Sequence, residues 1–573
     1  MFKTNLTKLN RRAVLAGASA IGLSAVRPNA WAAGADADTI LVGGQVWSPG
    51  GVVGTAVAIG GNHILAVGSE SAIRHRAGRG TRIVNLKGRF VMPGFNDSHL
   101  HMTGMAQQFN DVSLLGSRNI ADVVDRIRKR VAVMPPGEWV LARAQWHEAL
   151  LAEGRMPTRK DLDPVSPDNP VYIPRGGHVV TVNSKALQLA GITRDTPNPP
   201  GGIILHDADG EPTGMLLERA RSLVDRLLKP LDPAQYGRAL KQQIAELSAA
   251  GLTSVTNANT SSDQAQQLIK FHQAGLLNMR VNWTVAAGSA EDIRKLRTTL
   301  APLNGDRILR FSGIGEVYID GGVEGAYLRE PYKVVPGEQN DPAYRGVPMP
   351  SALDEASFEE LYLAAIDAGY NCMTHITGDA ALDLGLNTLS RVAGKKDFCN
   401  LRWTLHGCFL TDDAQLSAIR KLGLYITGQT QPYLLGAQMT KWWGSERANR
   451  SMPFRAFLDA GIPVGGGSDA PAGIATPIES VGWMVNRLCL GSFQFDRKWS
   501  LTPEQALTLY TTGSAQTQFM EDVTGKLVPG MLADLAILAG NPIQESPAEI
   551  SKIENDVTIM NGAVVFDRHK LFG

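Results

Sequence analysis

The sequence predicts an α/β fold, namely a (β/α)8 TIM barrel with a large insertion after its first strand, together with a small β-sandwich domain formed by both termini. Three observations support this prediction. A unit of amphipathic helix, glycine and short apolar strand recurs along the chain, and about eight such strands can be counted. Strand-like segments without intervening helices occupy both ends of the chain.

The segment SFEELYLAAIDAGYNCMTH shows the recurring unit most clearly. Ser357 and Glu360 have the spacing of a capping box, apolar residues follow at helical intervals, and Gly369 predicts the end of the helix. A short apolar strand comes next and places His375 at its end. Alternation of this kind predicts parallel strands that are joined by crossover helices.

Eight strands of this kind are predicted from residue 91 onward. The first runs from Val91 to His99, and the others lie near residues 252–257, 280–286, 311–320, 371–375, 401–406, 424–428 and 463–469. Eight parallel strands close a barrel, and the active sites of such barrels lie at the carboxyl ends of the strands. We therefore expect the functional residues at or directly after these segments.

Other regions fall outside the recurring unit. Residues 39–90 and 521–573 are rich in strand-like segments and are expected to pair into one small domain beside a barrel of residues 91–520. Residues 105–245 are too many for an unstructured loop and are expected to fold as a lid or subdomain.

Residues 1–32 contain two adjacent arginines, a weakly apolar stretch and a small-x-small cleavage site, which predict a twin-arginine signal and export to the periplasm. The alternative for that stretch is an ordinary amphipathic helix.

The composition excludes several classes of protein. The 573 residues are 44% hydrophobic and 19% charged, which is typical of neither a disordered chain nor a polytopic membrane protein. Fifty-six Lys and Arg against 55 Asp and Glu give a net charge of +1, so there is no charge excess to bind nucleic acid or anionic lipid. We expect a small, largely uncharged substrate and no membrane association after removal of the signal. Whether the protein forms a homo-oligomer is a question that the sequence leaves open.

Four of the eleven histidines stand at or just after predicted strand ends. His99 and His101 are two residues apart in GFNDSHLH, so both side chains point to the same face of an extended strand. Two such imidazoles can share a divalent ion, but the pair alone is at least as typical of exposed or hydrogen-bonded histidines. His375 and His406 end the fifth and sixth strands, and Asp469 ends the eighth. Taken together, the five residues favour a metal site.

Several segments together resemble the metal-dependent amidohydrolase superfamily, and within it amidohydrolase family 3, the group of YtcJ-like proteins and N-substituted formamide deformylases. The segments are VMPGFNDSHLH, GGHVVTVNSKALQLAGI, IDGGVEGAYLREPY, THITGDAALDLGLNTL and GIPVGGGSDAP. The resemblance implies a site for divalent metal, for which we expect zinc. It implies that His99 and His101 bind the more buried ion and that His375 and His406 bind a second one. It makes Asp469 a metal ligand that also moves protons.

Glu316 departs from the pattern of that family. Relatives commonly place a lysine four residues before the Asp-Gly of the fourth strand, where its carbamate could bridge two metals, and Glu316 stands at this position. No lysine occurs between Lys295 and Lys333. Because a carboxylate also offers two oxygens and one negative charge, we expect Glu316 to bridge two ions. The alternatives are a one-metal site with Glu316 outside the ligand set, or a structural glutamate.

The residues that bind substrate are less sharply indicated. Many relatives have Asp-Gly-His where this chain reads GGH, and His178 of that segment is a candidate for binding a substrate carbonyl or stabilising developing negative charge. Further candidates lie in the insertion or in loops on the strand-end side of the barrel, namely Arg175, Asn183, Tyr327 and Tyr433. For each of them, a structural hydrogen bond or packing contact is an equal alternative.

The favoured function is hydrolysis of a C–N bond in an amide, an N-acyl or N-formyl amine, or a cyclic amide. A hydroxide activated by the metal would attack the carbonyl, with Asp469 as general base and then general acid. The same site could serve a lactone or ester hydrolase, a decarboxylase or an isomerase, because a fold does not determine a reaction. A binding protein without activity is the third hypothesis, and the complete set of ligands argues against it.

Overall fold

The computed structural model of the protein describes residues 36–336 and 341–573. Eight parallel strands form one sheet in chain order, and each pairs with the next. They are β1 (Phe95–Leu100), β2 (Leu252–Asn257), β3 (Arg280–Val285), β4 (Leu309–Tyr318), β5 (Asn371–Ile376), β6 (Thr404–Gly407), β7 (Tyr425–Gln429) and β8 (Val464–Gly467). Backbone hydrogen bonds of 2.8 Å, from Asp469 N to His99 O and from His101 N to Ala470 O, join the first and last strands at their ends. The barrel confirms the predicted fold class.

The predicted signal in residues 1–32 lies outside the described residues.

The first predicted strand is in fact two strands. Phe90–Pro93 pairs in a different sheet, and only Phe95–Leu100 belongs to the barrel. Gly94 separates them, and a Cβ at this position would lie 2.3 Å from the side chain of Thr253 in β2. The prediction of one continuous strand over residues 91–99 is therefore wrong, because the chain must change sheets at a point where only glycine fits.

Helices connect most of the barrel strands. The helix before β5 spans Glu355–Ala368 and ends at Gly369, which has a φ of +71°, as the sequence predicts. Its cap is Asp354, whose side chain accepts from Ser357 N, so the predicted capping box at Ser357 is wrong.

The α-helices of the described residues are Glu70–Arg74, Met102–Gln107, Ile120–Val131, Arg159–Leu162, Ser184–Ala190, Ser222–Asp225, Pro233–Ala249, Ser262–Gln273, Ala290–Arg297, Pro350–Leu353, Glu355–Ala368, Asp379–Ala393, Asp413–Lys421, Gln431–Trp443, Ser445–Arg450, Phe454–Asp459, Pro477–Asn486, Pro503–Thr508 and Ser514–Thr517. No helix in the described part of the chain combines the length and apolar character that a membrane span requires.

Two further sheets lie outside the barrel and the insertion, and the larger of them combines segments from the two ends of the chain. In spatial order, the larger contains Ala563–Asp567, Asn555–Met560, Leu535–Leu538, Phe90–Pro93, Gln45–Ser48 and Gly51–Gly54. The smaller contains His63–Gly68, Ala56–Gly60, Ala37–Val42 and Ala77–Asn85. Leu535–Leu538 runs antiparallel to Phe90–Pro93, so the carboxyl-terminal segment completes a sheet that the amino-terminal segment begins. A shared apolar cluster that includes Val46, Val91 and Ile537 holds the two segments together.

The insertion between β1 and β2 is folded around a five-stranded sheet. Its strands in spatial order are Gly202–His206, Pro212–Glu218, Val179–Val182, Val171–Arg175 and Val140–Leu141. Apolar side chains pack on both faces of the sheet and form two separate clusters. A segment with its own sheet and its own core can hold side chains over the barrel in fixed positions.

Candidate metal centre

Glu316 lies at the centre of a buried cluster at the carboxyl ends of the barrel strands. It belongs to β4 and is 4% exposed. Its Oε1 lies 3.1 Å from His375 Nδ1 and 3.2 Å from His406 Nε2. The same oxygen lies 3.5 Å from His99 Nε2, and Oε2 lies 3.6 Å from His101 Nε2. One carboxylate thus reaches all four histidines that the strand ends predict.

Asp469 supplies the second carboxylate of the cluster. Its Oδ1 lies 3.1 Å from His101 Nε2 and 3.3 Å from His99 Nε2, and its Oδ2 accepts a hydrogen bond of 2.5 Å from Gln431 Nε2. The backbone of Asp469 has a φ of +54°, in the left-handed region that residues other than Gly, Asn and Asp seldom adopt. This turn directs the carboxylate from the end of β8 back towards the histidines of β1.

Three groups of side chains in this cluster have ligand atoms within 4.8 Å of one another, and they are His99, His101 and Glu316; His99, His406 and Asp469; and Glu316, His375 and His406. The Nε2 of His99 is buried and has no hydrogen-bond partner among the described residues. A buried polar atom without a partner is costly, and a metal ion removes that cost. Imidazole nitrogen and carboxylate oxygen are also the donors that zinc and related ions take. The residues therefore fit a divalent metal.

The electrostatics of the cluster favour a bound cation. Burial opposes the ionised form of Glu316 and Asp469, but the neighbouring histidines hold the pKa of each carboxyl well below its ordinary value. Burial also opposes the charged form of His101 and His375, but their hydrogen bonds to the carboxylates prevail and raise the pKa of each ring to about 9. The two carboxylates thus stabilise positive charge at this point, and a divalent ion supplies such charge.

Two residues that the sequence interpretation missed hold Glu316 in place. Asn259 Nδ2 and Tyr318 OH donate to Glu316 Oε2 over 2.8 and 2.7 Å, and Asn259 Oδ1 accepts from Glu316 N over 2.5 Å. Tyr318 could have been found, because it follows Glu316 by two residues on one strand and so shares its face. The sequence indicates Asn259 less clearly, because it is only a polar residue just past β2. Partners of this kind orient a ligand and strengthen metal binding.

Asp97 connects the first and last strands beneath the cluster. Its Oδ1 accepts from His99 N over 2.9 Å and from Ser468 N over 3.1 Å. Burial raises the pKa of Asp97 to about 7 in spite of these hydrogen bonds. The backbones of His99 and of Ser468, the residue before Asp469, are therefore held by one side chain, which sets the distance between two of the proposed ligands.

A cleft opens from the cluster towards the insertion. His178 and Arg175 of the insertion line it, together with His375 and Asp469 of the barrel. His178 Nδ1 lies 2.8 Å from Glu218 Oε2, and its ring centroid is 5.3 Å from that of His375. Two of the candidates from the insertion are thus brought to the same cleft as the predicted metal ligands.

Arg175 faces the cleft with most of its guanidinium already bound. Glu148 accepts from Arg175 Nε over 3.0 Å and from Nη2 over 3.2 Å, and Glu324 accepts a further hydrogen bond from Nη2. All three side chains are buried. Buried ion pairs of this geometry hold two segments together, here the insertion and the loop after β4.

The other three candidates are not brought to the cluster. Asn183 caps the helix Ser184–Ala190, and its amide also bonds to Val171 N over 2.9 Å and to backbone oxygens of the insertion. Tyr327 uses its backbone N to donate to Asp320 over 2.8 Å, and its ring packs beside the barrel core. Tyr433 is half-buried in the helix Gln431–Trp443. Among the described residues that line the cleft, none of these three occurs.

Comparison with known proteins places these features in context. The model of the amidohydrolase family matches residues 82–566. The amidohydrolase YtcJ of Bacillus subtilis is 28% identical over 530 residues, which are 90% of this chain and 96% of that protein. The N-substituted formamide deformylase of Arthrobacter pascens is 26% identical over 528 residues, which are 90% of this chain and 95% of that protein.

A solved structure shares the architecture. An uncharacterised metal-dependent hydrolase from Pyrococcus furiosus is 27% identical, with a TM-score of 0.67 over 88% of this chain and 100% of that chain. Metal-dependent hydrolases thus share both the fold and a substantial part of the sequence with this chain.

Proposed function

The chain belongs to the amidohydrolase family and is a metal-dependent hydrolase, and from this premise we propose that it hydrolyses the C–N bond of an amide, an N-acyl or N-formyl amine, or a cyclic amide. The observation that carries the proposal is the buried Glu316 carboxylate within 3.6 Å of ring nitrogens of all four histidines. The similarity to an N-substituted formamide deformylase supports the choice of a C–N bond.

The residues fit two ions, and Glu316 would be the ligand common to both. His99, His101 and Glu316 form one group that could hold an ion, Glu316, His375 and His406 form another, and Glu316 belongs to both. We propose zinc, because its ligands are histidine nitrogens and carboxylate oxygens in sites of this size. A bound divalent ion supplies two effects, a lower pKa for a water molecule and a polarised carbonyl.

Asp469 is suited to move the proton in this reaction. Its carboxylate is ionised, because the hydrogen bond with His101 and the nearby rings of His99 and His406 outweigh burial and hold its pKa well below the ordinary value. An ionised carboxylate can take a proton from the attacking water and return it to the leaving nitrogen. Gln431 holds Oδ2 over 2.5 Å, so Oδ1, which faces the histidines, is the atom in position to take the proton.

Activity of the zinc-loaded full chain against a substrate panel tests the proposal. The panel contains N-acyl amines, N-substituted formamides, hydantoins and, as the competing class, lactones and carboxylic esters. We expect turnover of at least one amide, loss of that turnover after treatment with a chelator, and its return when zinc is added. Turnover confined to lactones or esters, or amide turnover that survives the chelator, contradicts the proposal.

A further inference from the structure

Part of the cleft beside the metal cluster is lined by apolar side chains. Val323, Phe409 and Leu435, here called the apolar wall, line the same cleft as His375 and Asp469 of the cluster. The three apolar side chains are buried. They can neither bind a metal nor move a proton, so their place beside the cluster points to a role in holding a substrate.

The helix Gln431–Trp443 directs Leu435 to the cleft. Gln431 begins this helix, and its Nε2 donates to Asp469 Oδ2 over 2.5 Å. Leu435 follows Gln431 by four residues, so the two side chains lie on the same face of the helix. Because Gln431 is bound to Asp469, Leu435 is held one helical turn away from that carboxylate.

A tight turn at the end of β6 directs Phe409 to the cleft. Gly407 and Cys408 have φ values of +98° and +57°, and a Cβ at Gly407 would lie 2.3 Å from a backbone oxygen of β5. Beyond the turn, Phe409 O accepts a hydrogen bond of 2.8 Å from Met452 N. The turn follows directly after His406, so the aromatic ring stands three residues from a proposed metal ligand.

Backbone hydrogen bonds hold Val323 in the loop after β4. Its carbonyl oxygen accepts from Tyr332 OH over 3.0 Å and from Trp443 Nε1 over 3.2 Å. Trp443 is the last residue of the helix that carries Leu435, so this loop and this helix are joined beside the apolar wall. Three separate segments therefore each bring one apolar side chain to the cleft, and each segment is held by hydrogen bonds.

The charged side chains that line the cleft outside the metal cluster already have partners. Arg175 donates to Glu148 and to Glu324, and His178 Nδ1 lies 2.8 Å from Glu218 Oε2. A charged group is costly to bury without a partner of opposite charge. A charged substituent beside the apolar wall would lose its hydration and find no unengaged partner in this part of the described lining.

The space beside the apolar wall is also small. The enclosed part of the cleft has a volume of about 30 Å³. A cavity needs about 10–15 Å³ to hold one water molecule, so the cleft has room for two or three groups of that size. A methyl or ethyl group fits such a space, whereas an aromatic ring requires side chains to move.

We propose that Val323, Phe409 and Leu435 form a subsite that selects substrates with a short, uncharged alkyl substituent. Burial of that substituent against the apolar wall strengthens binding by about fourfold for each methylene group. The inference rests on the proposed function in one respect, that the reacting group of the substrate lies at the metal cluster. It narrows the proposed substrates to amides with a compact aliphatic group.

Binding of phosphonates to the zinc-loaded full chain tests the inference. The compounds share one anionic head, differ in the substituent and need no turnover. Isothermal titration calorimetry compares methyl-, ethyl- and phenylphosphonate, with aminomethylphosphonate as the charged counterpart of the ethyl compound. We expect ethylphosphonate to bind about fourfold more tightly than methylphosphonate. It should bind at least about tenfold more tightly than aminomethylphosphonate, and phenylphosphonate should bind more weakly than the ethyl compound.

Variants of the apolar wall sharpen the test. Leu435→Ala and Phe409→Ala enlarge the subsite, and Leu386→Ala, which shortens an equally buried leucine of the helix Asp379–Ala393, is the matched control. Zinc content and thermal unfolding are measured for every variant. We expect Leu435→Ala and Phe409→Ala to keep their zinc, to bind ethylphosphonate less tightly and to bind phenylphosphonate more tightly than the wild type does. Leu386→Ala should keep the wild-type order of affinities.

Several outcomes would overturn the inference. Equal affinity of the wild type for the methyl and ethyl compounds does so without any variant, and so does tighter binding of aminomethylphosphonate or no binding of any phosphonate. The wild-type order of affinities in both wall variants, or a loss of zinc from both, also overturns it. The proposed function fails separately, on the substrate panel, and amide turnover without any preference for substituent length would leave that function standing and remove the subsite.

Discussion

The strand ends of the barrel and the insertion meet at one cleft, but they contribute to it in different ways. The barrel supplies every proposed metal ligand, each at or next to the carboxyl end of a strand, where the parallel sheet holds its backbone. The insertion supplies Arg175 and the pair of His178 and Glu218, which are held by buried ion pairs and a glycine loop. We therefore propose that the barrel supplies the metal chemistry and that the insertion helps to hold the substrate.

The two regions are closely fitted to each other. A Cβ at Gly176 of the insertion would lie 2.9 Å from the Cβ of Ala472, three residues after Asp469. Arg175 bridges Glu148 of the insertion and Glu324 of the loop after β4. The contacts surround the cluster on two sides, so variants in either region can be compared for their separate effects on metal binding, on turnover and on stability.

Removal of the central carboxylate should have the largest effect. In Glu316→Gln the charge that the four histidines share is lost, so we expect zinc stoichiometry to fall and turnover to be abolished. Zinc is measured by atomic emission after dialysis, and Glu148→Gln, which removes a buried carboxylate of the insertion, is the control that should keep its zinc. One equivalent of zinc in the wild type, with stoichiometry and rate unchanged in Glu316→Gln, would rule out the shared ligand.

The proton shuttle should be separable from metal binding. Asp469→Asn keeps the shape of the side chain and one coordinating oxygen, but it cannot take up a proton. We expect zinc to remain bound while kcat falls roughly a hundredfold to ten-thousandfold, the range for loss of a general acid–base group. A near-normal kcat in the zinc-loaded variant would refute this role for Asp469.

Zinc affinity should depend on pH through the histidines of the barrel. His101 and His375 have pKa values raised to about 9, so below that pH each ring holds a proton that the metal must displace. Affinity should weaken by about tenfold for each displaced proton and each unit of pH as the pH falls from 8.5 to 6.5. Competition with a chelator measures it, and an affinity that is constant over this interval would contradict the expectation.

The smallest effect on activity is expected in the interior of the insertion. Asn183→Ala removes a helix cap and leaves Val171 N without its 2.9 Å partner, which should lower the free energy of unfolding by about 2–4 kcal/mol. Chemical denaturation measures that loss, while zinc content and kcat of the folded enzyme should stay at wild-type values. A fall in kcat without a loss of stability would instead support the hypothesis that Asn183 binds the substrate.

The barrel could be predicted well because its signals are local. The helix, glycine and strand before His375 follow one another within twenty residues, and β5 lies where that pattern places it. Errors arose where a distant residue decides the local structure. Gly94 divides the first predicted strand because Thr253 lies against it, and that contact joins residues more than 150 positions apart.

The sequence predicted the proposed metal ligands of the candidate site, but it did not predict the residues that hold those ligands in place. Strand-end position and the resemblance to the family pointed to four histidines, Glu316 and Asp469, and the structure brings all six together. Asn259 and Glu218 carry no such signal, because an asparagine after one strand and a glutamate at the end of another are common in any chain. Their roles depend on which side chains lie opposite them.

By itself, the sequence determined the class of the fold and the type of side chain available at each strand end, because helix periodicity, glycine stops and apolar strands act over short distances. Tertiary structure alone decided that Glu316 stands among all four histidines and that an insertion over a hundred residues long places His178 beside them. The physical reason is that buried charges are tolerated only where partners from distant segments surround them, and those partners become neighbours only when the chain is folded.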